Sequence, residues 1–337
     1  MRLKISNLPF ISLLLIGVVI DIFAIGFRPK TIGSDTIVYM TYYNDILTNG
    51  AGGFNFDYLF DLLVKCTASL NFSSGYFFAS IALINFFSCT LISKVLVKYF
   101  DKQISFYRIF FLVTSLFFLS PFFLSLQINV LRQGLSTLIL LLYFLLLLEG
   151  APLLILAIVA LLAQGFHHTS IFYILFTPLF YFKYSFVVRN TIFCAVLYVL
   201  GINQYLINRL APSFYNQIVA YGASSGYSSG IQYKFVLFTL VSGFGFQMLG
   251  KYLLRGVEQK QFFYILKIYW ILTIPFFLLG FAAFADRYLL PAWVYLSILA
   301  ASFIVLSLKK SNISIYWYYL LFLFTSAYFI LRTQGAF

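Results

Sequence analysis

Asn129, Arg132, Gln133 and Ser136 stand at the head of an almost unbroken apolar run, Leu138 to Leu148. On a helix they fall at i, i+3, i+4 and i+7, which is one face. A charge at the edge of hydrocarbon needs a reason, because at a helix centre it costs about 2.5–3.5 kcal/mol on insertion scales. Arginine is a permanent, fork-shaped cation that takes phosphate oxygens two at a time. The stripe therefore reads as an anion site, with phosphate as the natural ligand. The bland alternative is an interfacial arginine reaching out to lipid headgroups.

Three further groups could do chemistry. Arg28 and Gly33-Ser34-Asp35 lead into Tyr39, Tyr42 and Tyr43. Asp35, Tyr39 and Tyr42 share a helical face, where tyrosine rings stack on sugars and a carboxylate accepts hydroxyls or a proton. The competing reading makes Asp35 or Ser34 an N-cap and the tyrosines an interfacial belt. His167 and His168 are the only histidines and are adjacent. Imidazole titrates near neutrality, so one could serve as acid or base. With no further His, Cys or carboxylate at ligand spacing nearby, the pair is not expected to hold a metal. Asp286-Arg287-Tyr288 interrupts two apolar segments and offers a second guanidinium, or else a local ion pair closing a short hairpin.

The elements that must position these residues are membrane helices. The 337 residues are 62% hydrophobic, 21% aromatic and 9% charged. The apolar runs are long and do not alternate, which excludes an outer-membrane barrel and predicts an all-α, polytopic integral membrane protein. Apolar windows place spans near 9–27, 76–97, 104–124, 129–148, 151–166, 169–182, 190–207, 233–254, 262–283, 288–308 and 313–331. That makes about 11 transmembrane helices in a single domain, 1–337. Residues 28–75 form an exterior segment with interfacial helices, one of them Asp57 to Leu70. Residues 208–232 form a second exterior loop, Gly/Ser-rich and mobile around Ala223–Gly230. The first span reads as an uncleaved signal anchor.

With a cytoplasmic N-terminus, this count places fourteen of the 22 Lys and Arg inside and eight outside. Arg132, His167, His168, Asp35, Asp286 and Arg287 then share the exterior face. The net charge of +13 is largely accounted for by these loops and is no sign of nucleic-acid binding. The three cysteines, Cys66, Cys89 and Cys194, lie in apolar settings and suggest no disulfide framework. Nothing resembles a P-loop, so no nucleotide-driven work is expected.

Taken in order, Arg28 with Gly33-Ser34-Asp35, Tyr39 and Tyr43; Asn129-Val-Leu-Arg132-Gln133-Gly134; Phe166-His167-His168-Thr169; and Asp286-Arg287-Tyr288 resemble the EpsG/Wzy-type polysaccharide polymerase family. His167 fits the family's histidine better than His168, since Phe166 precedes it and Thr169 follows at the expected offset. The last stretch departs from the pattern, with Pro291 where the family commonly has a tyrosine.

The resemblance implies a bacterial inner-membrane glycosyltransferase with its site facing the periplasm. Such an enzyme moves a glycan from one undecaprenyl pyrophosphate carrier onto the next lipid-linked repeat unit, for O-antigen or capsule. His167 or Asp35 would be the base, and Arg132 and Arg287 would stabilise the departing pyrophosphate. Arg28, Tyr39, Tyr43, Asn129, Gln133, His168, Asp286 and Tyr288 would bind substrate. Without an Asp-x-Asp motif, no metal or other cofactor is expected. The implied partners are the lipid-linked donor and acceptor and membrane lipids, with a polysaccharide chain-length regulator as a candidate. Ligation of the glycan to a lipid core, a flippase for the lipid-linked unit and a membrane acyltransferase are the rivals. A ligase should have a larger exterior loop, a flippase should show internal repeats, and an acyltransferase should show a cytoplasmic route for its donor.

Overall fold

The computed structural model describes residues 8–50, 56–100, 104–225, 230–309 and 313–335. Among them the chain is all-α and has no strand. The helices are α1 (Leu8–Gly26), α2 (Thr36–Asn49), α3 (Tyr58–Ser69), α4 (Ser74–Tyr99), α5 (Phe106–Leu119), α6 (Pro121–Ile128), α7 (Leu131–Glu149) and α8 (Leu153–Phe166). They continue with α9 (Ser170–Ile174), α10 (Tyr184–Val199), α11 (Ile202–Leu210), α12 (Pro212–Ser225), α13 (Tyr233–Leu253), α14 (Gly256–Leu279), α15 (Leu290–Ser307) and α16 (Ile315–Thr333).

Six of these helices are long and apolar enough to cross a membrane, or eight if two bent pairs each count as one span. The expected count of about 11 is not confirmed. Each predicted span is largely helical, but several are short or broken, and the breaks have local causes. Residues 104–124 divide into α5 and α6, bent by 80°. Pro121 cannot donate to the preceding turn, and the Ser120 hydroxyl caps the Phe123 N–H of the new helix. Residues 190–207 divide into α10 and α11, bent by 81°, around Gly201 in the left-handed region at φ 70°. Residues 169–182 give only the five-residue α9 and a 3-10 turn at Thr177–Tyr181, opened by Pro178. Most of the predicted loop 208–232 is helical, as α12, and residues 226–229 of its Gly/Ser-rich stretch lie outside the described residues.

The chain forms two compact units. The first holds α1 to α6, α7 as far as Tyr143, α8 and α16. Its α16 packs on α5 and α1, and α4 packs on α1 and α5. Inside it, Asp21 of α1 is fully buried and accepts the Ser326 hydroxyl of α16 at 2.7 Å, so this buried carboxyl joins two helices. The second unit holds α9 to α15 around a central α14, which contacts α10, α13 and α15.

Helices such as α8, α13 and α16 leave large apolar side chains uncovered, among them Leu153, Leu237 and Phe324. In water such faces would favour association, whereas lipid tails solvate them at no cost.

Candidate active site

The site is assembled inside the first unit from breaks between its helices. Two of them meet at the start of α7. After α6 ends, Asn129 caps it at φ −110° and ψ −65°, and α7 begins at Leu131. Asn129 therefore does not share the helical face of Arg132, as its spacing predicts. Its side-chain oxygen instead accepts the Ser34 backbone N–H at 2.8 Å. Gly33 makes this docking possible. Its φ is +94°, and a Cβ there would stand 2.4 Å from the Ile128 carbonyl oxygen. Arg28, only 6% exposed, fixes the same junction by donating to the carbonyls of Ile25 and Ile128 and to the Thr36 hydroxyl. Burial lowers its pKa to about 10, so it stays charged at neutral pH.

Gly134 brings α7 hard against α6, where a Cβ would lie 2.6 Å from the Leu126 carbonyl oxygen. Leu131 and Leu135 then enter a core with Phe60, Val64 and Phe77. Arg132 projects from this first turn toward the start of α3, where Asp57 is the N-cap residue. The end of α8 arrives beside it, because α8 packs along α3.

Asp57 is the centre of the site. Its Oδ2 accepts Arg132 Nη1 at 2.7 Å and meets His167 Nδ1 at 3.1 Å. Its Oδ1 accepts the His168 backbone N–H at 3.0 Å and meets His168 Nδ1 at 2.9 Å. Each carboxylate oxygen thus has two partners, close to the capacity of an ionised carboxylate. The side chain is 8% exposed. Burial alone would oppose ionisation, but the hydrogen bonds from His167 and His168 outweigh it and hold the carboxyl far below its usual range. An ionised carboxylate only accepts, so His167 carries its proton on Nδ1 and leaves a lone pair on Nε2. Burial lowers the His167 pKa; Asp57 opposes that shift, while Arg132 and His168 add to it. The imidazole is thus neutral at pH 7.

Arg132 is positioned from a second direction. Its guanidinium lies over the Phe56 ring at 4.5 Å, and the Tyr39 side chain hydrogen-bonds it. Its Nε is buried with no hydrogen-bond partner among the described residues. Phe56 is fixed through its backbone N–H, which donates to Asp61 Oδ2 at 3.0 Å, and the Tyr42 hydroxyl donates to Asp61 Oδ1 at 2.9 Å. Asp61 is fully buried and acts on Arg132 through Phe56.

The other expected site residues have different surroundings. Tyr39 belongs to the site through Arg132, although its ring packs on Phe56 and Phe60. Tyr43 is a core residue: fully buried, it stacks on Phe77 and donates to the Phe72 carbonyl, leaving no face for a sugar. Gln133 is buried, and Asp35 accepts the Ser34 hydroxyl at 2.9 Å at the start of α2. Asp286, Arg287 and Tyr288 lie in a 3-10 turn of the second unit, Ala285–Tyr288, where Arg287 covers the Phe284 ring at 4.1 Å.

Nothing in the sequence distinguishes Asp57 from any other acidic residue before a helix. Its arrival corrects the argument against metal binding, which found no third ligand near the histidine pair. One ligand atom each from Asp57, His167 and His168 lie within 4.8 Å of one another and could hold a metal ion. The cost is that Arg132 already occupies the same carboxylate. A divalent ion would sit beside a guanidinium with one negative ligand between them.

An all-helical membrane protein with an arginine, a shielded carboxylate and two imidazoles in one cluster is equipped for acid–base chemistry beside an anion. The chain belongs to the EpsG family, whose pattern matches residues 11–336, nearly its whole length. That membership points to a membrane polysaccharide polymerase. No curated protein and no solved structure matches the chain.

Proposed function

We propose that this protein is a glycosyltransferase that polymerises undecaprenyl-pyrophosphate-linked repeat units into O-antigen or capsular polysaccharide. It works at the outer face of the bacterial inner membrane, with its N-terminus in the cytoplasm. The observation that carries the reading is the shared carboxylate: Asp57 holds Arg132 at 2.7 Å and His167 at 3.1 Å.

In this mechanism the acceptor hydroxyl oxygen attacks the anomeric carbon of the donor, and the bond from that carbon to the pyrophosphate oxygen breaks. The hydroxyl proton passes to His167 Nε2, the nitrogen turned away from Asp57. The electron pair leaves with undecaprenyl pyrophosphate, whose growing charge Arg132 stabilises. Asp57 holds the imidazole in the required tautomer and stabilises it once protonated, a positioning role. The pyrophosphate linkage supplies the driving force, so no nucleotide takes part. Because Arg132 neutralises the one carboxylate of the cluster, the reaction runs on protons rather than on a bound metal.

The test is a ladder assay on purified protein with a cognate undecaprenyl-pyrophosphate repeat unit, without nucleotide and with a chelator present. Wild type should give a ladder that Arg132→Ala and His167→Ala abolish while both remain folded. A ladder lost on chelation and restored by a divalent ion would overturn the proton reading in favour of a metal on Asp57, His167 and His168. Movement of the unit across a vesicle membrane without polymer would make the protein a flippase.

A further inference from the structure

The second unit contains a cavity of about 780 Å³ that the proposed chemistry does not use. One wall is a face of α14 carrying Lys260, Tyr264 and Lys267, and the other is the break between the 3-10 turn and α10, from Phe180 to Tyr184. Three lysines line it, Lys183, Lys260 and Lys267, and none of the described residues lining it is acidic. The neighbouring Glu258 is engaged by Lys309 at 3.0 Å.

Lys267 sets the character of the cavity. It is only 3% exposed, yet its partners are neutral. Its Nζ donates to the Phe180 carbonyl at 2.6 Å and the Phe182 carbonyl at 3.2 Å. It also faces the rings of Phe180 at 4.5 Å and Tyr264 at 4.9 Å. These contacts orient the ammonium without neutralising it, and an ammonium has a third donor. Phe182 adopts an extended conformation just before α10, and this break frees the two carbonyls from a helical ladder. A buried cation held by carbonyls, with two more cations nearby, is an electrostatic deficit that an anion would fill.

The rim says which kind of anion. Tyr181, Phe182 and Tyr264 are exposed aromatic side chains, and α14 is one of the helices fit to span the membrane. Cations beneath aromatic rings suit a ligand with a charged head and an apolar chain. The volume lies in the range of small-molecule sites.

We propose that this cavity binds the phosphate head of an anionic lipid, with the head on Lys183, Lys260 and Lys267 and the chain leaving past Tyr181, Phe182 and Tyr264. The site shares no residue with the Asp57 cluster and does not rest on the function proposed for it.

The experiment compares retention of dioctanoyl phosphatidic acid and dioctanoyl phosphatidylcholine on the purified full chain by native mass spectrometry. Inorganic phosphate is added as a competitor in a third arm. Wild type should retain phosphatidic acid at least tenfold better than phosphatidylcholine. Lys183→Gln/Lys260→Gln changes only exposed residues and should remove that preference with the melting temperature unchanged. Lys267→Met should remove it as well, with the double variant standing in if Lys267→Met does not fold. Equal retention of the two lipids, or an undiminished preference in the folded lysine variants, would overturn the site. Displacement of the lipid by an equal concentration of inorganic phosphate would overturn its lipid character and mark a soluble-phosphate pocket.

Discussion

Asp57 and His167 are separated by 110 residues of chain and by 3.1 Å in space, Oδ2 to Nδ1. One belongs to the N-cap of α3 and the other to the C-cap of α8. The ends of two helices are thus tied together by the same carboxylate that orients a candidate base.

Replacing Asp57 with Asn keeps the side-chain size but removes the charge and lets an amide N–H face an imidazole. Polymer formation should fall roughly 10²–10⁴-fold, the range for losing the group that fixes a catalytic histidine's tautomer. The fold should persist, as judged by a single monodisperse species in detergent. A folded Asp57→Asn variant of normal activity would remove Asp57 from the mechanism.

The pH profile follows from the environment of His167. A base works as the neutral form, so the rate should be level above its pKa and fall about tenfold per unit below it. Burial places that acid limb below the ordinary value near 6.5. Asp57 is the contribution that raises the pKa, so residual activity of Asp57→Asn should show the limb shifted to lower pH. An unmoved limb would mean that a different group titrates.

Arg132→Lys tests what its guanidinium does. Lysine keeps the charge but loses the planar fork and the stacking on Phe56. Turnover should drop at least about tenfold, with Arg132→Ala roughly 10²–10³-fold below wild type. If lysine restored full turnover, the role would be one of charge alone.

Arg28 and Tyr43 should report on stability rather than on substrate. Arg28→Met strips the Ile25 and Ile128 carbonyls and the Thr36 hydroxyl of a donor, and should cost about 2–3 kcal/mol. Tyr43→Phe loses one hydrogen bond to the Phe72 carbonyl, worth about 1 kcal/mol. Both should lower the melting temperature while KM for the repeat unit stays near wild type. A raised KM without loss of stability would return these residues to substrate binding.

Sequence reading locates the helices because apolar length is a local property, and it singles out Arg132 and His167 because charge and imidazole are conspicuous in hydrocarbon. It does not show where a single proline or glycine bends a run, as at Pro121 and Gly201. Helical spacing puts Tyr39, Tyr42 and Tyr43 near one another, but spacing does not reveal whether a ring meets sugar or Phe77. Asp57 is beyond its reach for a different reason. Its partners lie 75, 110 and 111 residues away, and their meeting depends on how α7 and α8 pack against the start of α3.

The four contacts on Asp57 also make its neighbours compete. One negative charge is divided between Arg132 and two imidazoles, and any anion that drew Arg132 aside would leave more of that charge to His167. Proton uptake at the imidazole and anion capture at the guanidinium are thereby linked, and linkage is reciprocal: each strengthens the other by the same factor. A site built this way has its greatest proton affinity when an anion is in place and its least when empty.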